Sequence, residues 1–299
     1  MIQSAPDGII VVNKPTGWTS HDVVGKMRGI AGTRRVGHLG TLDPLATGVL
    51  PLMIGQATRL ARYWEDSEKA YEAVIRFGFA TTTYDSQGER TTEPVDVELK
   101  SEDLETLFRP LRGEIEQIPP PVSAKKIGGV PAYKFARKNI QVELAPVQIR
   151  IHELALKSLA GDRASIFVRC SPGTYIRSIA HDLGVALGCG AHIEELVRTG
   201  SGPFRLEDAF TLERLQGLRD EGHLEQAVLP MPKLLPHFPP VFVDELTALH
   251  IRQGRNFSAS PFRVQQGTEH VKAIGPEGSV LAIGRIVLPN LYHPDVVLN

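Results

Sequence analysis

The stretch that decides the fold is residues 37–48, which read GHLGTLDPLATG. It places one carboxylate, Asp43, among small and apolar residues, and its glycines allow backbone angles that other residues resist. Pro44 fixes its own φ and disfavours helical backbone at Asp43. The apolar run at residues 49–54 is typical of a buried strand or a short helix. We therefore predict a shaped loop that presents one acid beside an apolar wall, as functional carboxylates often are.

The same residues also allow a purely structural interpretation. Asp-Pro is a common helix start, in which Asp43 would be the N-cap and Pro44 the first helical residue. The loop alone favours this interpretation, and the rest of the chain has to decide between the two.

Length and composition limit the class of protein. A chain of 299 residues suggests one large and one small domain, and 42% hydrophobic with 22% charged residues is typical of a soluble globular protein. The sequence has no apolar run of membrane-spanning length and no signal-peptide pattern. Cys170 and Cys189 make neither a disulfide framework nor a metal site, and there is no P-loop or dinucleotide fingerprint. We expect a cytoplasmic protein that needs no metal or cofactor.

The charge distribution bears on nucleic-acid binding. The formal net charge of -1 argues weakly against it, since nucleic-acid-binding domains are often basic. However, a segment without any acid contains five basic residues, Lys125, Lys126, Lys134, Arg137 and Lys138. Such a segment is either a solvated face or a surface that follows RNA phosphates.

The N-terminal residues predict a strand followed by a helix. Residues 8–13 are short and rich in β-branched side chains, as in a strand, and residues 14–17 form a turn. Thr19 or Ser20 can then cap a helix that runs to about Gly32.

Residues 69–78 alternate regularly and predict a second strand. One face carries four side chains that we expect to point inward, Tyr71, Ala73, Ile75 and Phe77. A tyrosine in this position is more often a core residue than a site residue.

Residues 164–180 predict a strand that leads into a helix. Pro172 and Gly173 interrupt the strand, and Thr174 can cap a helix that turns an apolar face inward. Arg177 would then lie near the helix start, which is unfavourable against the helix dipole unless an anion is its partner. The pattern indicates either a carboxylate nearby or a surface arginine in water.

These blocks, in this order, resemble the motifs of the TruB-type tRNA pseudouridine synthases. The similar segments are residues 13–20 (NKPTGWTS), 37–48, 69–71 (KAY), 117–137, 173–178 (GTYIRS) and 196–204 (LVRTGSGPF). The chain departs from the family pattern at Tyr84, at Val122, where a tyrosine is usual, and at Gly200, where a basic residue is common. The role of the usual tyrosine is therefore absent at Val122.

The resemblance implies a site made of distant residues. It implies that Asp43 is the essential carboxylate, that Arg177 pairs with it and that Tyr71 contacts the target uracil. The expected substrate contacts are His38, which inserts into the RNA loop, together with Tyr175, Leu196, Lys126 and Arg137. Lys14 and Pro15 are expected to support the catalytic loop.

The chemistry of the family suits a single acid. Glycosidases need a second carboxyl group to protonate the leaving oxygen. In pseudouridine formation the uracil leaves as a stabilised anion and is recaptured, so one carboxylate can suffice. The arginine would hold that carboxylate ionised and oriented.

The resemblance implies an α+β fold with a large, mainly antiparallel mixed sheet, flanking helices and a central cleft, plus a small C-terminal β-barrel. We expect a catalytic domain at residues 1–229, a proline-rich linker at 230–240 and a PUA-like RNA-binding domain at 241–299. The implied activity is conversion of uridine 55 in the tRNA T-loop, by a monomer that needs no guide RNA, protein partner or membrane.

Two alternatives remain open at this point. A guide-dependent enzyme of the same family would modify ribosomal RNA within a complex. A protein of another class would bind RNA, or act as an RNA chaperone, without catalysis.

Overall fold

The computed structural model describes residues 6–123, 125–127, 129–131, 135, 140, 144–265 and 267–298. Its strands follow the chain in the order β1 (Gly8–Lys14), β2 (Val36–His38), β3 (Thr47–Ile54), β4 (Lys69–Phe77), β5 (Gly113–Gln117), β6 (Lys126–Ile127), β7 (Val130–Pro131), β8 (Val147–Ala160), β9 (Arg163–Cys170), β10 (Ala191–Ser201), β11 (Phe204–Arg205), β12 (Leu229–Pro230), β13 (Pro240–Phe242), β14 (Phe257–Ser258), β15 (His270–Ile274), β16 (Val280–Leu288) and β17 (Leu291–Val297). The α-helices are α1 (Ser20–Ala31), α2 (Ser101–Phe108), α3 (Ile176–Ala186), α4 (Leu212–Asp220) and α5 (Glu245–Arg252).

A ten-stranded mixed sheet forms the larger part of the molecule. Its strand order is β12-β1-β3-β10-β4-β9-β8-β5, with β2 added to β3 and β11 added to β10. The pairings are antiparallel except between β3 and β10, where Thr47 and Gly48 pair in parallel with Val197 and Arg198. This parallel pair brings the loop before β3 next to the middle of β10.

Strand alternation divides the side chains of the sheet between two cores. In β1, Ile10 and Val12 pack with the helices, whereas Ile9 and Val11 pack on the opposite face. The helical core includes α1, α2, α3 and α4 through Met27, Phe108, Ile179 and Leu215. The predicted inward face of β4 is confirmed, since its four expected side chains are buried.

Local sequence signals fix the ends of α1. Thr19 is the N-cap, and its side chain accepts a hydrogen bond from the Asp22 N–H in a reciprocal capping box. Gly32 follows the last turn with φ 65°, a left-handed conformation that glycine adopts without strain. Both boundaries confirm the prediction from sequence.

The C-terminal part contains a second, five-stranded sheet that curls into half a barrel, in the order β13-β15-β16-β17-β14. Two of its strands, β15 and β16, form an antiparallel hairpin. Residues 230–240 are packed, because Leu234, Leu235 and Phe238 join the second core together with Ile283 of this sheet. The α+β fold expected from the resemblance is therefore correct. In the ranges that the structure describes, we find no helix both long and apolar enough to cross a lipid bilayer.

Candidate active site

Asp43 lies in the loop between β2 and β3, and no helix starts there. The prediction of a shaped loop is therefore correct, and the interpretation of Asp43 as a helix N-cap is wrong. Ser20, at the start of α1, fixes the preceding residue: its Oγ accepts from the Leu42 N–H at 2.8 Å and donates to the Leu42 carbonyl at 3.2 Å. The Ala46 N–H donates to the Asp43 carbonyl at 3.1 Å, which closes the turn behind the carboxylate.

Lys14, at the end of β1, stabilises the loop that carries Asp43. Its buried ammonium donates to the carbonyls of Pro15 (3.0 Å), Trp18 (2.6 Å) and Pro44 (3.2 Å). Burial lowers the pKa of Lys14 to about 8, while the negative charge of Asp43 opposes that shift. All three ammonium donors are used on backbone, so the contacts of Lys14 are structural.

Arg198, on β10, holds the same loop from the other side. Its Nε donates to the Val49 carbonyl at 2.7 Å, and its two Nη atoms donate to the carbonyls of Thr41 (3.3 Å) and Gly40 (3.1 Å). The residue is about 1% exposed. A glycine at position 48 allows the loop to lie against the Arg198 backbone. Its φ is +99°, and a Cβ there would overlap the Arg198 carbonyl.

Arg177, the second residue of α3, contacts Asp43 through both carboxylate oxygens. The Nε–Oδ2 distance is 2.9 Å and the Nη2–Oδ1 distance is 3.0 Å. Its Nη1 and Nη2 also donate to the carbonyls of Thr83 (2.8 Å) and Val122 (2.9 Å). The Arg177 side chain is 4% exposed and that of Asp43 is 35% exposed, so the arginine is fixed in the protein while the acid reaches solvent.

A second carboxylate lies behind Arg177. Asp85 Oδ2 is 3.6 Å from Arg177 Nη1, and the residue is buried. Its Oδ1 accepts from Thr83 Oγ1 at 2.6 Å and from the Gln87 N–H at 3.1 Å. Arg177 therefore lies between two acids, of which only Asp43 faces the cavity described below.

The Gln117 side-chain amide positions the backbone of Tyr175, in place of the helix cap predicted at Thr174. Thr174 was expected to cap α3, but its hydroxyl donates to the Ser171 carbonyl, and Tyr175 is the N-cap without a side-chain bond. The buried Gln117 forms hydrogen bonds with both polar groups of the Tyr175 backbone. Its Oε1 accepts from the Tyr175 N–H at 2.8 Å, and its Nε2 donates to the Tyr175 carbonyl at 3.0 Å. The prediction at Thr174 was wrong because a distant side chain satisfies the backbone there.

A cavity of about 400 Å³ opens beside Asp43. Tyr71 and Leu196, on the adjacent strands β4 and β10, form a largely apolar wall, and Tyr175 also lines the cavity. Burial raises the pKa of Tyr71, so its phenol stays protonated at neutral pH. The walls suit a flat, uncharged ring.

His38, the last residue of β2, also lines the cavity. Burial lowers the pKa of His38, and the positive charge of Arg198 adds to the shift. Its Nδ1 is buried and has no hydrogen-bond partner among the residues that the structure describes. A neutral ring with a free nitrogen thus borders the site.

The structure does not bring every expected residue to the cavity. Pro15 contributes a carbonyl to Lys14 but does not line the cavity. Lys126 lies on β6. Arg137 lies outside the described residues. Within the described part of the chain, no group of three or more His, Cys, Asp or Glu residues could hold a metal ion.

Three buried residues of the site were missed in the sequence, namely Lys69, Asp85 and Arg198. Two of them left a signal. Lys69 stands two residues before Tyr71 on the inward face of β4, and Arg198 stands two residues after Leu196 on the inward face of β10. A charged side chain on the inward face of a strand is unusual and needs a partner or a function.

Comparison with known proteins gives the family. Residues 28–176 match the model of the TruB family pseudouridylate synthase N-terminal domain, and residues 177–236 match that of the tRNA pseudouridylate synthase B C-terminal domain. A protein of Solibacter usitatus named tRNA pseudouridine synthase B is 58% identical over 98% of this chain and 100% of its own length. One of the same name from Stutzerimonas stutzeri is 42% identical over 93% of this chain and 91% of its own.

Solved structures show the same fold at lower identity. An H/ACA RNP bound to a substrate RNA containing 2′-deoxyuridine includes a chain that is 24% identical, with a TM-score of 0.68 over 98% of this chain and 85% of that chain. A Cbf5-Nop10-Gar1 complex gives the same identity and TM-score over 98% of this chain and 83% of that chain. Together, the matched family models and the full-length relatives show that this chain belongs to the TruB family of pseudouridylate synthases.

Proposed function

We propose that this protein isomerises uridine 55 in the T-loop of tRNA to pseudouridine and needs no guide RNA. The relatives that are 58% and 42% identical are named tRNA pseudouridine synthase B, which supports tRNA as the substrate. The observation that carries the proposal is Asp43, held by two hydrogen bonds from Arg177 at the wall of a cavity large enough for a nucleoside.

The reaction needs no atom from outside the substrate. The C1′–N1 glycosidic bond breaks, the uracil turns, and a C1′–C5 bond forms. The C5 hydrogen leaves as a proton and N1 ends with one, so the composition of the nucleotide is unchanged. A carboxylate can assist by attack or by stabilising positive charge on the ribose. Asp43 is the acid placed to do so, since Asp85 does not line the cavity and Glu65, which does, is exposed to solvent.

The cavity walls fit a base that has left the RNA stack. Tyr71 and Leu196 would contact the two faces or the edge of the uracil and keep it in place while it turns. Removing a base from its stack costs a few kcal/mol, which contacts with the protein must offset. His38, a neutral ring beside the cavity, is suited to occupy the place that the base leaves.

The remaining assignments follow from the same proposal. Tyr175 lines the substrate pocket, Lys126 and Arg137 contact the RNA backbone, and Lys14 with Pro15 supports the loop of Asp43. Residues 1–229 form the catalytic domain, 230–240 link it, and 241–299 bind RNA. We also propose that the protein acts as a monomer in the cytoplasm.

The alternatives are less well supported. The chains in the H/ACA complexes are 24% identical to this one, so they support the fold and carry no argument for a guide. RNA binding without catalysis does not require a bidentate Arg177–Asp43 pair at the wall of a cavity.

The test is incubation of the purified protein alone with unmodified tRNA transcript, followed by mapping of every pseudouridine. We expect product at position 55 and none when that uridine is replaced by cytidine. An Asp43→Ala variant is expected to form no product while its affinity for T-stem–loop RNA stays within a few-fold of wild type. No product from the wild-type protein, or product only when a guide RNA is added, would overturn the proposal.

A further inference from the structure

Lys69, the first residue of β4, is a buried cation in the cavity wall. It is 8% exposed, and it lines the cavity together with Asp43 and Tyr71. An ammonium group has three donors, and Lys69 Nζ uses one of them, on the Ser67 carbonyl at 2.9 Å. In the part of the chain that the structure describes, no carboxylate lies within 4.0 Å of it; Glu65, which also lines the cavity, is exposed and unpaired with it.

The other buried lysines of the described chain are satisfied better. Lys14 donates to three carbonyls, and Lys272 donates to those of Pro232 and Leu234 at 2.9 Å each. Neither of them lines the cavity. Lys69 therefore differs in both respects: within the described ranges two of its donors have no partner, and it borders the space that substrate would enter.

Among the described residues, Lys69 lies beside a second cation and has no carboxylate at ion-pair distance. A Cβ on Gly40 would lie 3.6 Å from Lys69 Cε and 3.5 Å from Arg198 Nη1, so both cations rest against the same glycine. Arg198 spends its donors on backbone carbonyls, and Asp43 is already paired with Arg177. Burial, and then the charge of Arg198, lowers the pKa of Lys69 to about 8. A cation thus borders the cavity here, and none of the residues described in the structure forms an ion pair with it.

We propose that Lys69 binds a backbone phosphate next to the nucleotide that enters the cavity. This inference rests on the proposed function. Before the glycosidic bond breaks, a bound uridine carries formal charge only on its phosphates, so a phosphate is the anion that the intact substrate supplies here. A compact ammonium group with two free donors suits phosphate oxygens.

The first test is equilibrium binding of labelled T-stem–loop RNA to proteins that also carry Asp43→Asn, so that the substrate is not converted. We expect Lys69→Met to weaken binding roughly tenfold at 0.1 M salt and to reduce the slope of log K against log salt by about 0.7 to 0.9. Lys69→Arg should keep the slope. Lys157→Met is the matched control, since Lys157 is exposed on β8 and does not line the cavity. It should change neither quantity.

The second test locates the phosphate. Neutral methylphosphonate linkages replace the phosphate on the 5′ or the 3′ side of the target uridine, one at a time. At one of the two positions we expect the substitution to weaken binding by the protein with Lys69 but not by Lys69→Met. Independent losses at both positions, or a Lys69 variant that lowers only kcat with unchanged binding and salt slope, would overturn the proposal.

A third measurement remains informative if Lys69→Met does not fold. RNA affinity of the Lys69 protein should fall between pH 7 and 9 as the free ammonium loses its proton, and Lys69→Arg should not show that component. The measured quantity is the difference between the two pH curves, because other ionisable groups lie near Lys69 or the cavity, namely Lys14, His38, Asp43, Glu65, Tyr71, Cys170 and Arg198. Identical curves would contradict the proposal.

These measurements report binding and do not require turnover. If the wild-type protein forms pseudouridine at position 55 but Lys69→Met binds normally, the phosphate site alone is wrong. If the wild-type protein forms no product, the proposed function is wrong whatever Lys69 does.

Discussion

Arg177 and Asp43 are 134 residues apart in the chain, yet the guanidinium donates two nearly parallel hydrogen bonds to the carboxylate. The same guanidinium donates to the carbonyls of Thr83 and Val122. The orientation of Asp43 therefore depends on three separate loops that meet at one planar group. A planar fork with donors along two edges can satisfy this arrangement, and a lysine ammonium cannot.

We expect Arg177→Lys to lower kcat about 10²- to 10³-fold and to reduce the free energy of unfolding by about 1–3 kcal/mol. The ammonium would keep the charge but not the two parallel bonds, so the carboxylate would lose its fixed orientation. Single-turnover rates and urea unfolding measure the two effects. Arg163→Lys is the control, because Arg163 forms a bidentate pair with Glu194 (2.6 and 2.9 Å) away from the cavity. If both variants lose activity equally, the orientation argument is incorrect.

Asp85 should matter for activity although it does not line the cavity. Asp85→Asn keeps an oxygen for the Thr83 hydroxyl and the Gln87 N–H but removes the negative charge that faces Arg177. We expect kcat to fall about 5- to 150-fold, equivalent to about 1–3 kcal/mol, with RNA affinity unchanged. Thr83→Ala removes the hydroxyl that donates to Asp85 Oδ1 (2.6 Å) and to the Asp85 carbonyl (3.4 Å) but no charge, and it should have the smaller effect on steady-state kinetics. A larger effect from Thr83→Ala would assign the role to loop packing instead of charge.

Much of the local structure could be predicted because its causes are local. The alternation in β4 and the capping of α1 by Thr19 depend on neighbours within a few residues. The mismatch between Arg177 and the helix dipole could also be recognised in the sequence, where it indicated either a nearby anion or a surface arginine in water. The sequence pattern could not name that anion, since a dipole argument gives only the sign of the charge.

The features that the sequence did not predict depend on contacts between distant parts of the chain. Asp85 reaches Arg177 because its loop is attached to β10 by hydrogen bonds around Ile193, next to a break in the register of that strand. Arg198 reaches the loop of Asp43 because β3 and β10 pair in parallel, and no short-range pattern specifies that pairing. Thr174 was misjudged for the same reason, since the groups that satisfy the Tyr175 backbone come from Gln117.

Gly48 should tolerate no side chain. Its φ of +99° disfavours other residues, and a Cβ would overlap the backbone of Arg198. We expect Gly48→Ala to lower the free energy of unfolding by more than about 3 kcal/mol and to reduce turnover through displacement of the loop. Gly17→Ala is the control, because Gly17 also has positive φ (+79°) but has open space around the added carbon. It should cost only about 1 kcal/mol. If urea unfolding shows the same loss of unfolding free energy for both variants, the close contact between Gly48 and Arg198 does not contribute to the effect.

Arg198 should be more important for stability than its exposed counterparts. Its guanidinium donates to the carbonyls of Gly40, Thr41 and Val49, and a lysine there could not reach all three. Because the unsatisfied carbonyls would stay buried, we expect Arg198→Lys to cost about 2–4 kcal/mol of unfolding free energy. Arg150→Lys should change it by less than about 0.5 kcal/mol, since the Arg150–Glu114 pair is exposed and 3.7 Å long.

In Arg198→Lys the loop of Asp43 should also become more mobile, which amide hydrogen exchange at residues 40–42 would detect. If Arg198→Lys lowers stability but leaves the exchange protection of these amides as in wild type, Arg198 stabilises the fold without positioning the Asp43 carboxylate.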